Sequence, residues 1–227
     1  MSQTRQNDRL YNAIVHKVFS REVNAGQRLV ERELATELNV SRVPVRETLA
    51  KLVAQGILVG GAKGQGVFVR QYSAEDVRQL YEFRLILEAG AAATAAEAGT
   101  ESELLRMEMI CDEMEAEIEH FESPRWRDLD HKFHETLGAA SGNQRIINVI
   151  KSMLVECFFM FYAPSDAPVD SPEMQSAIAE RVIFEHRTIV EAIRSQDASA
   201  AADAAKVHVN WVGDLARRVC IAQELKV

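Results

Sequence analysis

Apolar residues in the first 70 positions follow short helical and strand periods that turn residues interrupt. Ser41 has the chemistry of a helix cap, and Gly56 that of a helix end. Two β-prone runs flank a glycine-rich stretch and predict a hairpin. Short helices joined by a tight turn and followed by a hairpin are the plan of a winged helix-turn-helix. The predicted elements are helices over about 8–23, 31–38 and 42–56 and strands over 57–59 and 67–69.

Beyond Tyr72 the apolar residues keep a helical period to the end of the chain. Serine before proline, at Ser123 and Ser171, marks two helix starts. The predicted helices run over about 74–98, 101–121, 124–140, 143–162, 173–195 and 198–223. We therefore predict a mainly α fold: a winged helix-turn-helix with a small β-hairpin wing over residues 1–72, and an all-α six-helix bundle over 73–227.

The charge is distributed unevenly between these two parts. Residues 1–70 carry 11 Lys and Arg against 6 Asp and Glu, whereas residues 71–227 carry 15 against 28. A basic N-terminal part suits a polyanion-binding domain, and an acidic remainder repels nucleic acid. Ordinary surface charge would also produce such an asymmetry, so it does not by itself decide the function.

The compartment is predicted from cysteine usage and from the polar start of the chain. Three widely spaced cysteines without a CxxC pair favour a reducing cytosol over a disulfide framework. The first ten residues have no apolar signal core, and the most apolar run, 153–163, is too short to span a bilayer. We therefore predict a cytoplasmic protein without membrane association.

Arg42 and Arg46 are the candidate base-contacting residues of the third helix. They lie one turn apart near its N-terminus, opposite an apolar face. A guanidinium can donate to guanine O6 and N7 together, for roughly 1–3 kcal/mol of discrimination. Ser41 and Thr48 can donate to phosphates, and Lys63 and the glycines beside it would form a thin basic wing tip. The alternative is that both arginines are solvated on a protein-binding winged helix.

The same residues resemble the DNA-binding domain of GntR-type regulators. The resemblance is carried by Leu29–Ala35, Val40–Leu49, Leu52–Gly56 and Gly64–Val69, which include the run SRVPVRETL. It implies DNA contacts from Arg32, Ser41, Arg42 and Arg46, with Gly64 in the wing. Arg32 would hold phosphate, and Arg42 and Arg46 would carry most of the base contacts.

Four residues with metal-binding side chains fall on apolar faces of three helices in the second part. Asp130 lies in an apolar stripe, where an unpaired carboxylate costs several kcal/mol to bury. His134 follows one turn later, and His186 and His208 lie on the inward faces of two further helices. A single such histidine is better explained as a core residue bonded to a carbonyl. Together with Asp130, the three favour a shared divalent metal ion.

Three imidazoles and one carboxylate suit Zn²⁺, Ni²⁺, Fe²⁺ or Mn²⁺, and we take Zn²⁺ as the first choice although the spacing does not select it. His131 points about 100° away from the cluster and is predicted to be solvated. Arg84 lies on an apolar face, where it could clamp an effector carboxylate through two bonds or pair with Glu88 one turn later. Both possibilities stay open.

This second part resembles the FCD ligand-binding domain of the FadR branch of GntR regulators. The matching pieces are Arg84-x3-Glu88, Asp130-x2-Phe133-His134, Ala140–Asn143, His186-x2-Ile189-x2-Ala192-Ile193 with Asp197, and His208. Six helices rather than seven suit its VanR-type subgroup. The resemblance implies metal ligands at Asp130, His134, His186 and His208, and a metal that helps to hold a small carboxylate effector.

These patterns predict a homodimeric transcription factor that binds a palindromic operator and senses a small organic acid. Two other functions fit parts of the sequence. A metal-dependent hydrolase would use the same ligands, although the chain has no HExxH motif. The same regulator could instead hold its effector in an apolar pocket without a metal.

Overall fold

The computed structural model describes residues 3–19, 22–61, 66–121, 123–162 and 171–224. The chain divides into two compact units. One comprises Met1–Ser73 together with Val155–Ser165, and the other comprises Ala74–Leu154 and Asp166–Val227. Among the described helices, none combines the length and the apolar character that a bilayer crossing requires.

A three-helix, three-strand arrangement forms most of the first unit. Its elements are α1 (Gln3–Phe19), β1 (Arg28–Leu29), α2 (Glu31–Glu37), α3 (Arg42–Ala54), β2 (Leu58–Gly60) and β3 (Val67–Val69). The strands form one antiparallel sheet in the order β1-β3-β2. The predicted winged helix-turn-helix and its hairpin are therefore confirmed.

Two features of this unit differ from the sequence-based expectation. Strand β1 was not predicted, because two residues are too few to display a period; Arg28 pairs with Phe68 and Leu29 with Val67. Helix α1 was expected to reach Val23. Instead, the Val23 N–H donates to the carbonyl of Lys17, outside the i→i−4 pattern, so the chain has already left the helix there.

The turn between α2 and α3 fixes the position of the third helix. Asn39 has a φ of 51°, a left-handed conformation that asparagine tolerates better than most residues. The inner face of α3 is buried through Val45, Leu49 and Leu52. Their spacing leaves the opposite face of α3, with Arg42 and Arg46, in solvent.

The described residues of the second part contain six α-helices, as predicted, but the helix expected over 101–121 ends at Ala116 and is followed by a short 3-10 helix, Ile118–His120. The six α-helices are α4 (Ala74–Ala98), α5 (Glu101–Ala116), α6 (Pro124–Ala140), α7 (Gln144–Tyr162), α8 (Pro172–Arg194) and α9 (Ala198–Glu224). The caps follow the sequence: Ser123 and Ser171 each accept from the backbone N–H three residues later. Thr100 and Glu103 form a capping box at the start of α5.

Helix α4 positions the remaining bundle because it packs against α6, α8 and α9. Its alanines Ala91, Ala92 and Ala95 are fully or almost fully buried, and small side chains allow helices to approach closely. Most of the apolar core lies on α5, α6 and α8. Polar side chains that point inward from α4, α6, α8 and α9 therefore meet inside the bundle.

Candidate functional site

Three histidines from three helices meet in the interior of the bundle. His134 of α6, His186 of α8 and His208 of α9 are each at most 1% exposed. Each offers a nitrogen, and these three ligand atoms all lie within 4.8 Å of one another. Phe133 stacks on the His186 ring, with centroids 3.7 Å apart and planes 6° from parallel, and so fixes its orientation.

Asp130 lies at the edge of this histidine cluster. Its Oδ1 is 3.7 Å from His186 Nε2 and 4.0 Å from His134 Nε2. The side chain is 28% exposed, so Asp130 is less buried than its apolar stripe indicated. The structure thus brings the four predicted ligands together, with the carboxylate on the side nearest solvent.

Several nitrogens of the cluster are buried without a hydrogen-bond partner. They include both ring nitrogens of His186 and the Nε2 of His208. An unsatisfied buried polar group costs about 1–3 kcal/mol. Such orphaned groups are rare in proteins and usually indicate a ligand, an ion or a special chemical role.

Two buried carboxylates orient the outer sides of His208 and His134. Glu185 Oε2 is 3.0 Å from His208 Nδ1. Glu88 Oε2 is 2.8 Å from His134 Nδ1, without the alignment of a hydrogen bond. A carboxylate on one imidazole nitrogen holds the other nitrogen as a lone-pair donor, the usual support of a metal-binding histidine.

The surroundings of Glu88 and Glu185 favour the charged carboxylates, and those of His186 and His208 favour the neutral imidazoles. Burial raises the pKa of Glu88, but the Arg84 guanidinium and His134 outweigh it and hold this pKa below its ordinary value. Burial also raises the pKa of Glu185, but the contacts with His208 and Arg181 outweigh it, so this pKa too lies below its ordinary value. Burial lowers the pKa of His186 well below its ordinary value, and His208 lowers it further.

Arg84 of α4 completes the buried network. Its Nε donates to Glu88 Oε1 over 2.6 Å, and its Nη2 donates to His134 Nε2 over 2.7 Å. Of the two roles predicted for Arg84, the pairing with Glu88 is therefore present. The contact with His134 was not predicted, because residues 50 positions apart on two helices leave no local pattern.

The donor set fits a borderline divalent cation. Imidazole nitrogens and one carboxylate oxygen suit Zn²⁺ and its neighbours in the first transition row. Zn–N bonds are about 2.0–2.1 Å long, so two nitrogens in a tetrahedral site lie about 3.4 Å apart. The three ring nitrogens would therefore have to close by at most about 1.4 Å, which side-chain rotations can supply.

The prediction for His131 needs correction. It was expected in solvent, but its side chain is only 25% exposed, and its Nε2 lies 3.4 Å from Glu135 Oε1. Burial lowers its pKa, opposed by Glu135. The helix period correctly predicted that His131 faces away from the cluster. It does not show that neighbouring residues cover this side of α6.

In the first unit, Glu31 at the start of α2 binds both candidate base-contacting arginines. Its Oε1 accepts from Arg42 Nε over 2.9 Å, and its two oxygens accept from Arg46 Nε and Nη2, each over 3.0 Å. The hydrogen bond from Arg46 lowers the pKa of Glu31; burial opposes this shift, and the bond from Arg42 adds to it. This bridge joins α2 to α3 and was missed in the sequence.

The other predicted DNA-contacting residues have different surroundings. Arg32 and Ser41 are exposed, and the Ser41 hydroxyl does not cap α3. Thr48 is 5% exposed and lies on the inner face of α3, so its predicted phosphate contact has to be withdrawn. Lys63 and Gly64, predicted at the wing tip, lie outside the described residues.

Comparisons with known proteins agree with both parts of this structure. The family described as "Bacterial regulatory proteins, gntR family" matches residues 6–69, and "FCD domain" matches residues 79–210. The HTH-type transcriptional regulator LutR of Bacillus subtilis is 30% identical over 209 residues, covering 80% of this chain and 87% of LutR. The uncharacterized HTH-type regulator YdhC of the same species is 28% identical over 204 residues, covering 88% and 86%.

Among solved structures, E. coli McbR/YncC aligns with a TM-score of 0.73 at 18% identity, over 92% of this chain and 96% of that one. At 18% identity, this similarity supports the fold alone. The relatives are transcriptional regulators, which removes the hydrolase alternative. The chain is therefore a member of the GntR family in its FadR-like branch, a DNA-binding transcriptional regulator with an FCD domain and not an enzyme.

Proposed function

We propose that this regulator binds its operator as a homodimer and that a small carboxylate, held with a divalent metal ion in the bundle, controls operator affinity. The observation that carries the proposal is the cluster of three buried histidines with unpartnered ring nitrogens beside Asp130. A bundle without a ligand there would leave these groups unsatisfied. The apolar-pocket alternative gives no reason for the cluster.

Asp130, His134, His186 and His208 would hold the metal, with Zn²⁺ as the first choice. The ion would supply positive charge that offsets Asp130 and attracts an anionic effector. Glu185 and Glu88 keep the outward nitrogens of His208 and His134 oriented, which leaves the inward nitrogens as ligands. Arg84 is the proposed second contact for the effector carboxylate, because its guanidinium adjoins the same cluster.

The proposed operator contacts come from α2, α3 and the wing. Arg42 and Arg46 would contact base edges in the major groove, and Arg32 and Ser41 would bind phosphates. Lys63 and Gly64 of the wing would approach the backbone or the minor groove. In a homodimer the two third helices would bind equivalent half-sites of a palindrome. Phe83 and Ile86, exposed on α4, are candidates for the apolar surface that a second copy covers.

Glu31 gives a prediction about specificity. Replacing Glu31 with alanine is expected to raise affinity for random DNA, because a negative charge leaves the DNA-facing surface. The ratio of operator to random-DNA affinity is expected to fall about tenfold, because two arginine side chains would then have to be ordered during binding. Fluorescence anisotropy measures both affinities at fixed salt, with an operator that the wild-type protein selects from random duplexes.

Glu47→Ala is the matched control for Glu31→Ala, because Glu47 is an exposed acid on α3. It removes the same charge without releasing either arginine. The two variants should therefore raise random-DNA affinity alike, and only Glu31→Ala should lower the ratio. An unchanged ratio in Glu31→Ala would show that the bridge does not position the arginines for base contact.

Coupling between the two sites tests the proposed function as a whole. Operator affinity is measured with Zn²⁺ and each of three probes: acetate, succinate and citrate. We expect at least one acid to change operator affinity by about 5–150-fold, the usual range of allosteric coupling. Because coupling is reciprocal, saturating operator must change the affinity for that acid by the same factor.

The control for this experiment is the double variant His134→Ala/His186→Ala, which should bind operator without responding to the acid. Acid affinity that saturating operator leaves unchanged, for all three probes, would contradict the proposal. The matched random duplex, which is not expected to show the coupling, separates a specific effect from general ionic strength.

A further inference from the structure

Two of the hydrogen bonds of the Arg84 guanidinium have different consequences for ligand binding inside the bundle. Its Nε bond to Glu88 is an intrahelical ion pair on α4, with both side chains at most 5% exposed. Its Nη2 bond crosses to α6 and ends on His134 Nε2. This nitrogen is the one that faces Asp130 Oδ1, 4.0 Å away.

The bond from Arg84 determines which nitrogen of His134 carries the proton. Arginine remains protonated in proteins and only donates, so His134 Nε2 must accept through its lone pair. The proton of a neutral His134 ring then lies on Nδ1, beside Glu88 Oε2. An imidazole nitrogen has a single lone pair, which cannot accept from a guanidinium and bind a metal at the same time.

We propose that Arg84 is a built-in competitor of the metal ion, because its guanidinium and the ion use the same lone pair of His134. This inference rests on the proposed metal site and adds a residue that sets its affinity. The bond to Glu88 does not involve the histidine, so Arg84 can leave His134 and stay paired on its own helix. Metal binding therefore has to break one bond of Arg84 and can keep the other.

The exchange also links the metal to an anionic ligand. Once Nη2 leaves His134, a buried N–H needs an acceptor, since an unsatisfied buried donor is costly. A carboxylate oxygen of an effector next to the ion is such an acceptor, and guanidinium–carboxylate pairs are among the strongest hydrogen-bonded contacts. Arg84 would thus weaken the binding of the metal by itself and strengthen the joint binding of the metal and a small acid.

A second relay in the bundle provides a matched control. On α8, Arg181 Nε donates to Glu185 Oε1 over 2.8 Å, and the other oxygen of Glu185 contacts His208 Nδ1. The i, i+4 pair and the carboxylate–histidine contact repeat those of Arg84, Glu88 and His134. Arg181, however, lies over the Trp211 ring and is 47% exposed, and the Nε2 of its histidine is unpartnered.

The test compares Zn²⁺ dissociation constants of two double variants of the full chain, R84M/E88Q and R181M/E185Q, by competition with a chromophoric chelator. Each removes one positive and one negative charge and one carboxylate behind a histidine, so the two variants are matched in net charge and in the loss of that carboxylate. Only R84M/E88Q removes the competitor. We expect it to bind Zn²⁺ at least about tenfold more tightly than R181M/E185Q, the factor that one charged hydrogen bond represents.

R84K is the additional variant in case R84M/E88Q does not fold, with folding checked by circular dichroism. A lysine keeps the charge beside Glu88 but has one nitrogen instead of the planar fork, so its contact with His134 should be weaker than that of arginine. We expect R84K to bind Zn²⁺ more tightly than the wild type. The inference is overturned if R84M/E88Q binds Zn²⁺ no more tightly than R181M/E185Q, or if R84K binds it no more tightly than the wild type. Either result leaves the proposed metal site standing. A wild-type chain that binds no more Zn²⁺ than His134→Ala/His186→Ala overturns the proposed metal site as well.

Discussion

Replacement of both Arg42 and Arg46 by alanine is expected to lower operator affinity to that of random DNA while the winged helix stays folded. Each guanidinium that bonds a guanine contributes about 1–3 kcal/mol of discrimination, so each single variant should lose about ten- to hundredfold in operator affinity. The side chains are 60% and 66% exposed and contact Glu31 at the surface. Their loss should therefore change the free energy of unfolding by no more than about 0.5 kcal/mol.

Lys51→Ala is the control for this loss of positive charge. Lys51 lies on the same helix but near its C-terminal end, where its ammonium group sits over the Tyr11 ring. Removing it should lower the affinity for operator and for random DNA to a similar extent, since a phosphate-directed charge carries no sequence information. Footprints on the selected operator that both single arginine variants give at the wild-type protein concentration would contradict the proposed base contacts.

Metal addition is expected to have the largest effect on stability. Zn²⁺ at about 100 times its Kd should stabilise the wild-type chain by about 2.7 kcal/mol, if the unfolded chain does not bind it. For a domain of this size, this corresponds to a Tm increase of about 5–10 °C. The physical reason is that His186 and His208 hold buried unpartnered nitrogens, which the ion would satisfy.

The double variant His134→Ala/His186→Ala should lose this Zn²⁺-dependent increase, and its metal content by elemental analysis should fall to background. The comparison uses the change on adding Zn²⁺, so destabilisation by the cavities left in the core does not affect it. His131→Ala is the matched control, because His131 lies on α6 but pairs with Glu135. Equal metal content in the wild type and the double variant would remove the proposed site.

The proposed coupling between effector binding and operator affinity depends on the charged groups around the His134 imidazole. Arg84, Glu88 and His134 form a buried set in which the arginine contacts both the acid and the base. In the proposed mechanism, a divalent ion held beside this set would change the partners of Arg84, and an acid bound with the ion would accept the released N–H. Because α4 packs against α6, α8 and α9, such a change of partner would let effector binding shift helices of the bundle.

The sequence by itself determined the order of the elements apart from strand β1, and most of their bounds. Helix periods, serine caps before proline and glycine breaks are local signals, because each depends on residues within one or two turns. They placed α4, α6 and the hairpin within a residue or two. The SRVPVRETL run and the positions of Asp130, His134, His186 and His208 also carry the resemblance to the family, since residue types and their spacing belong to the sequence itself.

Only the tertiary structure decided which side chains meet. Glu31 with Arg46, Glu185 with His208, and Arg84 with His134 are separated by 15, 23 and 50 positions, and their contacts depend on how helices pack and rotate. Burial decided the remaining cases in the same way. Thr48 and His131 lie on helix faces whose period is evident from the sequence, but the depth to which neighbouring residues cover those faces is a property of the packed domain.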